Sequence, residues 1–475
     1  MLNKQINRTV YQNFPVPYRV LFGAECLLIA FIFLLGVNVL GFGGYGGITV
    51  AEKPFAPIGL SVLNALSVQV CLLSFGLYNP KFREGLSSIL RRISVSVFIA
   101  QSAFVFFCTL VPPWSIGYDF FVFLCASNIV SLGLLRYLTL KVDIFNFRKV
   151  NVLILGAGER SSIVEKRMRR AVDRQNFNLL GFVPISGDSE EKGIKNETTI
   201  SLGMDNLIQY VVENDVEEIV IACDDRRQTL PLDELFACRL AGVNVIDILD
   251  FIERETGQLA INLMYPSWVI YSKVLSPPNS VRERFDWLFN SFLAIVVFVL
   301  TFPFMLLAAL AIKIEDGWDA PIFYYQNRVG RNGKIFRIVK FRSMRQNAEA
   351  NGAVWAKKKD NRTTRVGQFL RKYRVDELPQ VYNVLKGDMG FVGPRPERPE
   401  MIEGFIHEIP YYDQRHNVKP GLTGWAQLKY PYGASLEDTA EKLKYDLYYV
   451  KHRSFLLDLS ILLLTAEIVL FGKGR

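Results

Sequence analysis

The densest group of reactive side chains in this sequence is Asp376-Glu377-Leu378-Pro379-Gln380, preceded by Leu370-Arg371-Lys372-Tyr373-Arg374. Adjacent carboxylates are unusual among so many cations. A free aspartate titrates near about 3.9, so Asp376 is ionised at neutral pH and needs no base to act as a nucleophile. Its obstacle is repulsion from an anionic phosphate, which a divalent cation and nearby arginines can offset. The pattern also suits a solvated helix start, because acidic residues favour helix N-termini and Pro379 fits a first turn. Spacing alone leaves both readings open.

Three further segments could serve the same chemistry. Gly393-Pro394-Arg395-Pro396 holds an arginine between two prolines, which fix the backbone so that the guanidinium fork is aimed before a phosphate arrives. A rigid loop with an incidental arginine is the plainer alternative. Asn332-Gly333 between apolar runs signals a hairpin. Its second strand would carry Lys340 and Arg342 to its end, in Lys340-Phe341-Arg342-Ser343-Met344. Lys419-Pro420-Gly421-Leu422-Thr423-Gly424-Trp425-Ala426-Gln427 is turn-rich and could close over a ligand.

These segments have to be positioned by a chain of mixed character. It has 475 residues, 50% of them hydrophobic, and a net charge of +9. Such apolar content excludes disorder, and the length excludes a single small domain. Residues 313–454 hold 26 Lys+Arg and 17 Asp+Glu, so they carry the whole positive surplus. A basic face of that kind suits anionic substrates or lipid head groups. No nucleic-acid motif or aromatic stacking pattern accompanies it, so nucleic acid is not an expected partner. The six cysteines form no CxxC pair, and the three histidines lack metal-ligand spacing, so neither zinc nor a disulfide framework is expected.

Residues 1–145 read as a four-helix transmembrane region, with apolar stretches at about Val20–Leu40, Ile58–Tyr78, Ile93–Val111 and Tyr118–Leu138. Lys4, Arg8, Arg19, Lys81, Arg83, Arg91, Arg92, Arg136, Lys141, Arg148 and Lys149 lie on one side of these spans. Both the N-terminus and the chain beyond the fourth span are therefore expected in the cytoplasm. No span carries a charge near its middle, which reads as an anchor without chemistry.

Residues 146–276 alternate short strands with helices and read as a doubly wound, Rossmann-like domain. Its turn Gly156-Ala157-Gly158-Glu159-Arg160-Ser161 keeps two glycines of a phosphate cradle, but Ser161 replaces the third. Nucleotide binding and a purely structural or regulatory role both stay open. Residues 277–475 complete the chain. There, 287–312 form an apolar run interrupted by Pro303 and flanked by Arg282, Arg284 and Lys313. The proline breaks a backbone bond, and the flanks give no drive to cross. A kinked, re-entrant helix is expected, with Ser291 or Thr301 satisfying backbone groups near the kink. Phe455–Phe471, which holds Asp458 and Glu467, reads as an interfacial helix.

Taken together, 282–471 resembles the monotopic phosphoglycosyl transferases, the polyprenyl-phosphate hexose-1-phosphate transferases or bacterial sugar transferases. The resemblance rests on Lys340–Met344, Asp376–Gln380, Gly393–Pro396 and Lys419–Gly424, in that order. The four spans and the Rossmann-like domain resemble the extension of the large members. Arg374, Glu397-Arg398-Pro399-Glu400 and Tyr430-Pro431-Tyr432-Gly433 look like the subgroup linked to exosortase-type exopolysaccharide loci. Gly390-Phe391 departs from the Ser-Leu of many relatives, and Arg374 from their Ser or Thr.

The resemblance implies transfer of a hexose-1-phosphate from a UDP-sugar to undecaprenyl phosphate, with release of UMP, as the first membrane step of exopolysaccharide biosynthesis. Glucose and galactose are the sugars it favours. It further implies that Asp376 is the nucleophile of a covalent phosphosugar-aspartate and that Glu377 is base or metal ligand. Mg²⁺ would bridge the two carboxylates and the diphosphate, and Arg395, with Lys340 and Arg342, would bind phosphate. A bacterial inner-membrane location and a homodimer follow from the same likeness. The alternative is a nucleotide-sugar oxidoreductase or dehydratase built on the Rossmann-like domain, against which the absence of a Tyr-x-x-x-Lys pair in 146–276 counts.

Overall fold

The computed structural model describes residues 16–38, 56–78, 86–110, 117–142, 149–168, 174, 177–189, 193–194, 199–225, 230–264, 280–345, 362–431, 433 and 435–470. The chain divides into two compact units, Met1–Phe251 and Ile252–Arg475.

The first unit opens with four apolar helices, α1 (Val16–Asn38), α2 (Ala56–Ser74), α3 (Leu86–Leu110) and α4 (Tyr118–Val142). Each meets the next, and α1 also meets α4. Among the described residues, four of the five helices long and apolar enough to cross a membrane are these. Their shared interior is not purely apolar. Asn64 donates to Gln101 at 2.9 Å. Arg136 Nε meets Glu25 Oε1 at 2.6 Å, and its Nη1 donates to the Leu77 carbonyl. Tyr78 donates to Glu25, and Glu25 is 1% exposed. A buried ion pair, away from the middle of both spans as read from the sequence, joins α1 to α4 and is tolerated because each charge has a partner. Removing one partner of such a pair costs about 3–5 kcal/mol, whereas replacing both with apolar groups is close to neutral. Arg136→Met should therefore lower the unfolding midpoint in detergent clearly, and adding Glu25→Leu should recover most of the loss.

The same unit continues with a parallel α/β sheet: β1 (Val150–Leu155), α5 (Glu159–Arg167), β2 (Phe177–Val183), α6 (Leu207–Glu213), β3 (Glu218–Ile221), α7 (Leu232–Leu240) and β4 (Asn244–Asp247). The strand order is β2-β1-β3-β4 and every pairing is parallel. Parallel strands are covered on both faces, which is why Val152–Leu155 is continuously apolar and fully buried. The order in which strands are added reverses between β1 and β3, the place where parallel sheets of this kind open a crevice at the C-terminal ends of their strands.

Helix α8 (Ile248–Thr256) contains the division between the units. The domain boundary read at 276/277 lies outside the described residues. Residues 252–264 already belong to the second unit: Trp425 donates to the Gly257 carbonyl at 3.0 Å, and Leu259 N to the Lys444 carbonyl.

The second unit is built on α9 (Ser280–Asp316), 37 residues long with Pro303 inside it. Pro303 removes the amide that would reach the Val299 carbonyl. Thr301 Oγ1 donates to the Val297 carbonyl at 2.7 Å rather than to the freed Val299 carbonyl, and Ser291 Oγ finds no partner among the described residues. Both ends of α9 are seated on this unit. Near its start, Asn290 Oδ1 accepts the Phe391 amide, Glu283 meets Arg331, and Asp286 meets Arg453. Near its end, Ala308 and Ile312 pack with Phe341 and Leu370. Between them Val299, Leu300, Phe304 and Leu307 are each more than 60% exposed.

Two antiparallel strands follow, β5 (Phe323–Val329) and β6 (Ile335–Phe341), joined through Asn332 and Gly333, both at positive φ as the tight turn requires. The remaining elements are α10 (Arg365–Lys372), α11 (Val381–Lys386), β7 (Gly390–Val392), α12 (Pro399–Glu408), β8 (Gly421–Thr423), α13 (Trp425–Lys429), α14 (Leu436–His452) and α15 (Phe455–Leu470). Helix α15 is tied down by Asp458, which accepts from Tyr449, and by Thr465 against Thr423. Several apolar helices and a parallel α/β sheet thus make a membrane-associated α/β protein. All six cysteines are free.

Candidate active site

The acidic pair sits on a six-residue 3-10 helix, Val375–Gln380. Helix α10 leads into it. The Thr364 side chain accepts the Gly367 amide, and the Glu315 carboxylate accepts those of Arg365 and Val366, so three otherwise unpaired amides of α10 are satisfied. Arg374 then reverses the chain in the left-handed region, φ 58°. A non-glycine residue there costs conformational energy, so the surroundings must enforce it. The reversal turns Asp376 and Glu377 inward, leaving them 8% and 9% exposed. On the far side, Asn383 of α11 accepts the Val339 amide at 3.1 Å and donates to the Arg337 carbonyl at 2.8 Å. This amide clamp holds the acidic helix against β6, beside Lys340.

Glu377 is the hub of the site. Its Oε1 accepts Lys340 Nζ at 2.8 Å and Arg395 Nη2 at 2.9 Å, and its Oε2 lies 3.5 Å from Arg374 Nη1. Burial alone would raise its pKa, but Lys340, Arg395 and Arg374 hold it well below the usual carboxylate range. Lys340 is pushed down by burial, against the pull of Glu377. Asp376 behaves in the opposite way. No hydrogen bond or ion pair engages its carboxylate among the described residues. Burial, followed by the neighbouring Glu377 charge, raises it to about 6. The two environments separate the carboxylates into one locked as an anion and one left free, the arrangement by which enzymes give paired acids different roles.

Arg395 is aimed by backbone packing rather than by its prolines alone. Strands β7 and β8 run parallel, and Gly393 N donates to the Thr423 carbonyl while Gly421 N donates to that of Pro394. A Cβ on Gly421 would lie 2.1 Å from Gly393 N, and one on Gly424 would lie 2.2 Å from the Gly393 carbonyl oxygen. The Gly393–Pro396 and Lys419–Gly424 segments are therefore glycine-rich so that their backbones can touch. Beneath them Arg415, 6% exposed, donates to the Arg395 carbonyl at 2.9 Å. Tyr412 and Asp446 hold Arg415 in turn, at 2.7 and 2.8 Å. Arg328 supports the next residues, donating to the Pro396 carbonyl.

The structure thus brings Lys340 and Arg395 together on Glu377, beside Asp376. It does not bring Arg342 there. The Arg342 charge acts on Asp316 at the end of α9, and its Nη1 is buried without a hydrogen-bond partner among the described residues. Asn383 and the Arg415–Tyr412–Asp446 set went unnoticed in the sequence, because nothing in a lone asparagine or arginine announces that it will be buried against a backbone carbonyl.

The donor set suits Mg²⁺ in one mode. Asp376 is free, Glu377 Oε2 has only a distant cation, and both offer the hard oxygens this ion takes. No cluster of three acidic, histidine or cysteine residues capable of holding a metal occurs among the described residues. A magnesium ion would therefore rely on these two carboxylates together with substrate phosphates and water.

The sequence is similar to that of known proteins. Residues 281–472 match the family model described as bacterial sugar transferase. An Aeromonas hydrophila UDP-N-acetylgalactosamine-undecaprenyl-phosphate N-acetylgalactosaminephosphotransferase is 42% identical over 240 residues, 50% of this chain and 55% of that protein. A Xanthomonas campestris pv. campestris UDP-glucose:undecaprenyl-phosphate glucose-1-phosphate transferase is 33% identical over 282 residues, 57% of this chain and 56% of its own length. The chain thus spans little more than half the length of these two. It covers 98% of an exopolysaccharide production protein from Rhizobium leguminosarum bv. phaseoli, at 38% identity over 201 residues, which is 41% of this chain. With this coverage, and with the free Asp376 beside a cation-locked Glu377, the chain belongs to the bacterial sugar transferase family.

Proposed function

We propose that this protein moves a hexose-1-phosphate from a UDP-sugar to undecaprenyl phosphate, releasing UMP, at the first membrane step of exopolysaccharide assembly. The observation that carries the reading is the unpaired, buried Asp376 carboxylate beside a glutamate whose Oε1 is held by Lys340 and Arg395. An Asp376 oxygen forms a bond to the sugar-bearing phosphorus, and the bond from that phosphorus to UMP breaks. An oxygen of the lipid phosphate then attacks the same phosphorus and releases the Asp376 carboxylate. One phosphoanhydride replaces another, so no external energy source is needed. Lys340 and Arg395 stand where charge accumulates on the transferred group, and exchange part of their pairing with Glu377 for phosphate oxygens. Asp376 and Glu377 would hold a Mg²⁺ ion, which would supply charge neutralisation for the diphosphate.

The decisive experiment omits the lipid. Protein incubated with UDP-sugar labelled in the sugar-bearing phosphate should retain label as an alkali-labile acyl phosphate and release up to one UMP per chain. UMP formation only in the presence of both substrates, with no trapped label, would show direct transfer instead. The two large relatives are named for glucose and for N-acetylgalactosamine, so the panel should contain UDP-glucose, UDP-galactose and UDP-N-acetylgalactosamine.

The membrane arrangement belongs to the same proposal. Helices α1–α4 form a four-helix transmembrane bundle beside a Rossmann-like module. Helix α9 enters and leaves on the cytoplasmic side of the inner membrane, with its turning point at Pro303. Support comes from its ends: Glu283, Asp286 and Asn290 at one and Ile312 at the other are all bound to the same unit, with the bare apolar segment between them. A cysteine replacing Lys313 should react with an impermeant reagent only from the cytoplasmic side. Reaction only from the periplasmic side would make α9 a true span.

A further inference from the structure

The glycine-rich turn after β1 has the form of a phosphate cradle, but its donors are already engaged. Four of the five amides in 156–160 have acceptors within the chain. Gly156 N donates to the Val183 carbonyl at 2.7 Å, and Ala157 N to Asp188 Oδ2 at 2.8 Å. Glu159 N donates to Asp224 Oδ2 at 2.9 Å and to Ser189 Oγ at 3.2 Å, and Arg160 N to Asp224 Oδ1 at 3.0 Å. The Asp224 carboxylate therefore spans the first two amides of α5, where a pyrophosphate would sit in a dinucleotide-binding sheet.

Its position in the sheet fits this substitution. Asp224 follows β3 and Asp188 follows β2, so the two carboxylates approach from either side of β1, at the crevice where the connections diverge. Gly158 makes the approach possible: a Cβ there would lie 2.1 Å from Asp224 Oδ2. The glycine that ordinarily lets a phosphate near the backbone here admits an aspartate. Ser189 completes the ring, donating from Oγ to Asp224 Oδ2 at 2.6 Å, and Asp224 N points at Asp188 Oδ1. The chain even folds over the turn, since Ile194 N donates to the Ala157 carbonyl, and a Cβ on Gly193 would lie 2.6 Å from that oxygen. Ser161, in place of the third glycine, is stitched to the Gly156 carbonyl at 2.7 Å.

We infer that Asp224, with Asp188, is a built-in anion that occupies the phosphate cradle of the parallel-sheet module and closes it to dinucleotides. The helix N-terminus that would hold a ligand's negative charge holds the protein's own, as a fixed part of the fold. Burial of Asp224 is opposed by Ser189 and the two α5 amides, which together hold its carboxyl below the usual range, so it is the ionised form that fills the site. The module then serves as structure or as a surface for other proteins rather than as a nicotinamide or nucleotide enzyme.

Hydrogen exchange of the full-length chain in nanodiscs tests this, because it reads 156–161 separately from the transferase site. In the wild type these amides should be protected without ligand, and neither NAD⁺ nor inorganic pyrophosphate should change their exchange. Asp224→Gly should speed exchange there roughly fivefold or more, the ratio that loss of one helix cap produces, and pyrophosphate should restore protection in that variant alone. Should Asp224→Gly fail to fold, Asp224→Asn keeps one acceptor oxygen, and only one of the two α5 amides should lose protection. Added protection of wild-type 156–161 by NAD⁺ or pyrophosphate would overturn the inference. So would unchanged exchange in both variants.

Discussion

Replacing Asp376 with asparagine should reduce UMP release by roughly four orders of magnitude or more, the scale on which loss of a covalent nucleophile is felt. The substitution is nearly isosteric, and the wild-type carboxylate makes no hydrogen bond or ion pair among the described residues. Folding should therefore be preserved, and thermal unfolding of the variant should match or exceed that of the wild type, because a buried charge held without a partner is removed. Retained activity with a normal unfolding midpoint would disprove nucleophilic catalysis by Asp376. The label-trapping experiment separates a slow nucleophile from none: the variant should trap no phosphosugar at any incubation time.

Glu377→Gln should be the second most damaging change, lowering kcat/KM on the order of 10²–10³, the range seen when one preorganised electrostatic contact is lost. The reasoning differs from that for Asp376. Glu377 Oε1 orients both Lys340 and Arg395. A neutral amide offers one acceptor oxygen and no charge, so both cations lose the anion that aims them. If Glu377 mainly positions these cations, Glu377→Asp, which keeps the charge but shortens its reach, should recover only part of the activity. If it transfers a proton directly, the aspartate variant should instead show a changed pH profile with little effect on UDP-sugar affinity. Stability should fall as well, since Lys340 and Arg395 would be left facing one another.

Much of this organisation was legible in the sequence because it rests on local rules. Length and hydropathy located the apolar helices. Strand and helix alternation located the parallel sheet, and Asn332-Gly333 located the hairpin. The Asp376–Gln380, Gly393–Pro396 and Lys340–Met344 segments announced themselves by composition. What stayed hidden depends on distant partners. Glu25 finds its partner in Arg136, 111 residues later. Arg415 supports Arg395 through a carbonyl, an atom every residue has. Asp224 lies 64 residues beyond the amide of Arg160 that it caps, and neither residue hints at the other. Arg342 is a further example: nothing in Lys340–Met344 announces that its charge acts on Asp316 at the end of α9.

The seating of α9 at both ends has a consequence for how the enzyme meets its membrane. Asn290 is fixed to β7 and Ile312 to the core shared by β6 and α10, so the stretch between them acts as a gauge of set length, roughly 33 Å of helical path. On the re-entrant arrangement proposed above, lengthening or shortening this stretch would retune the depth at which Asp376 meets a lipid phosphate while leaving the reacting groups untouched. Adaptation to bilayers of different thickness can therefore proceed in one segment, without trial and error in the chemistry.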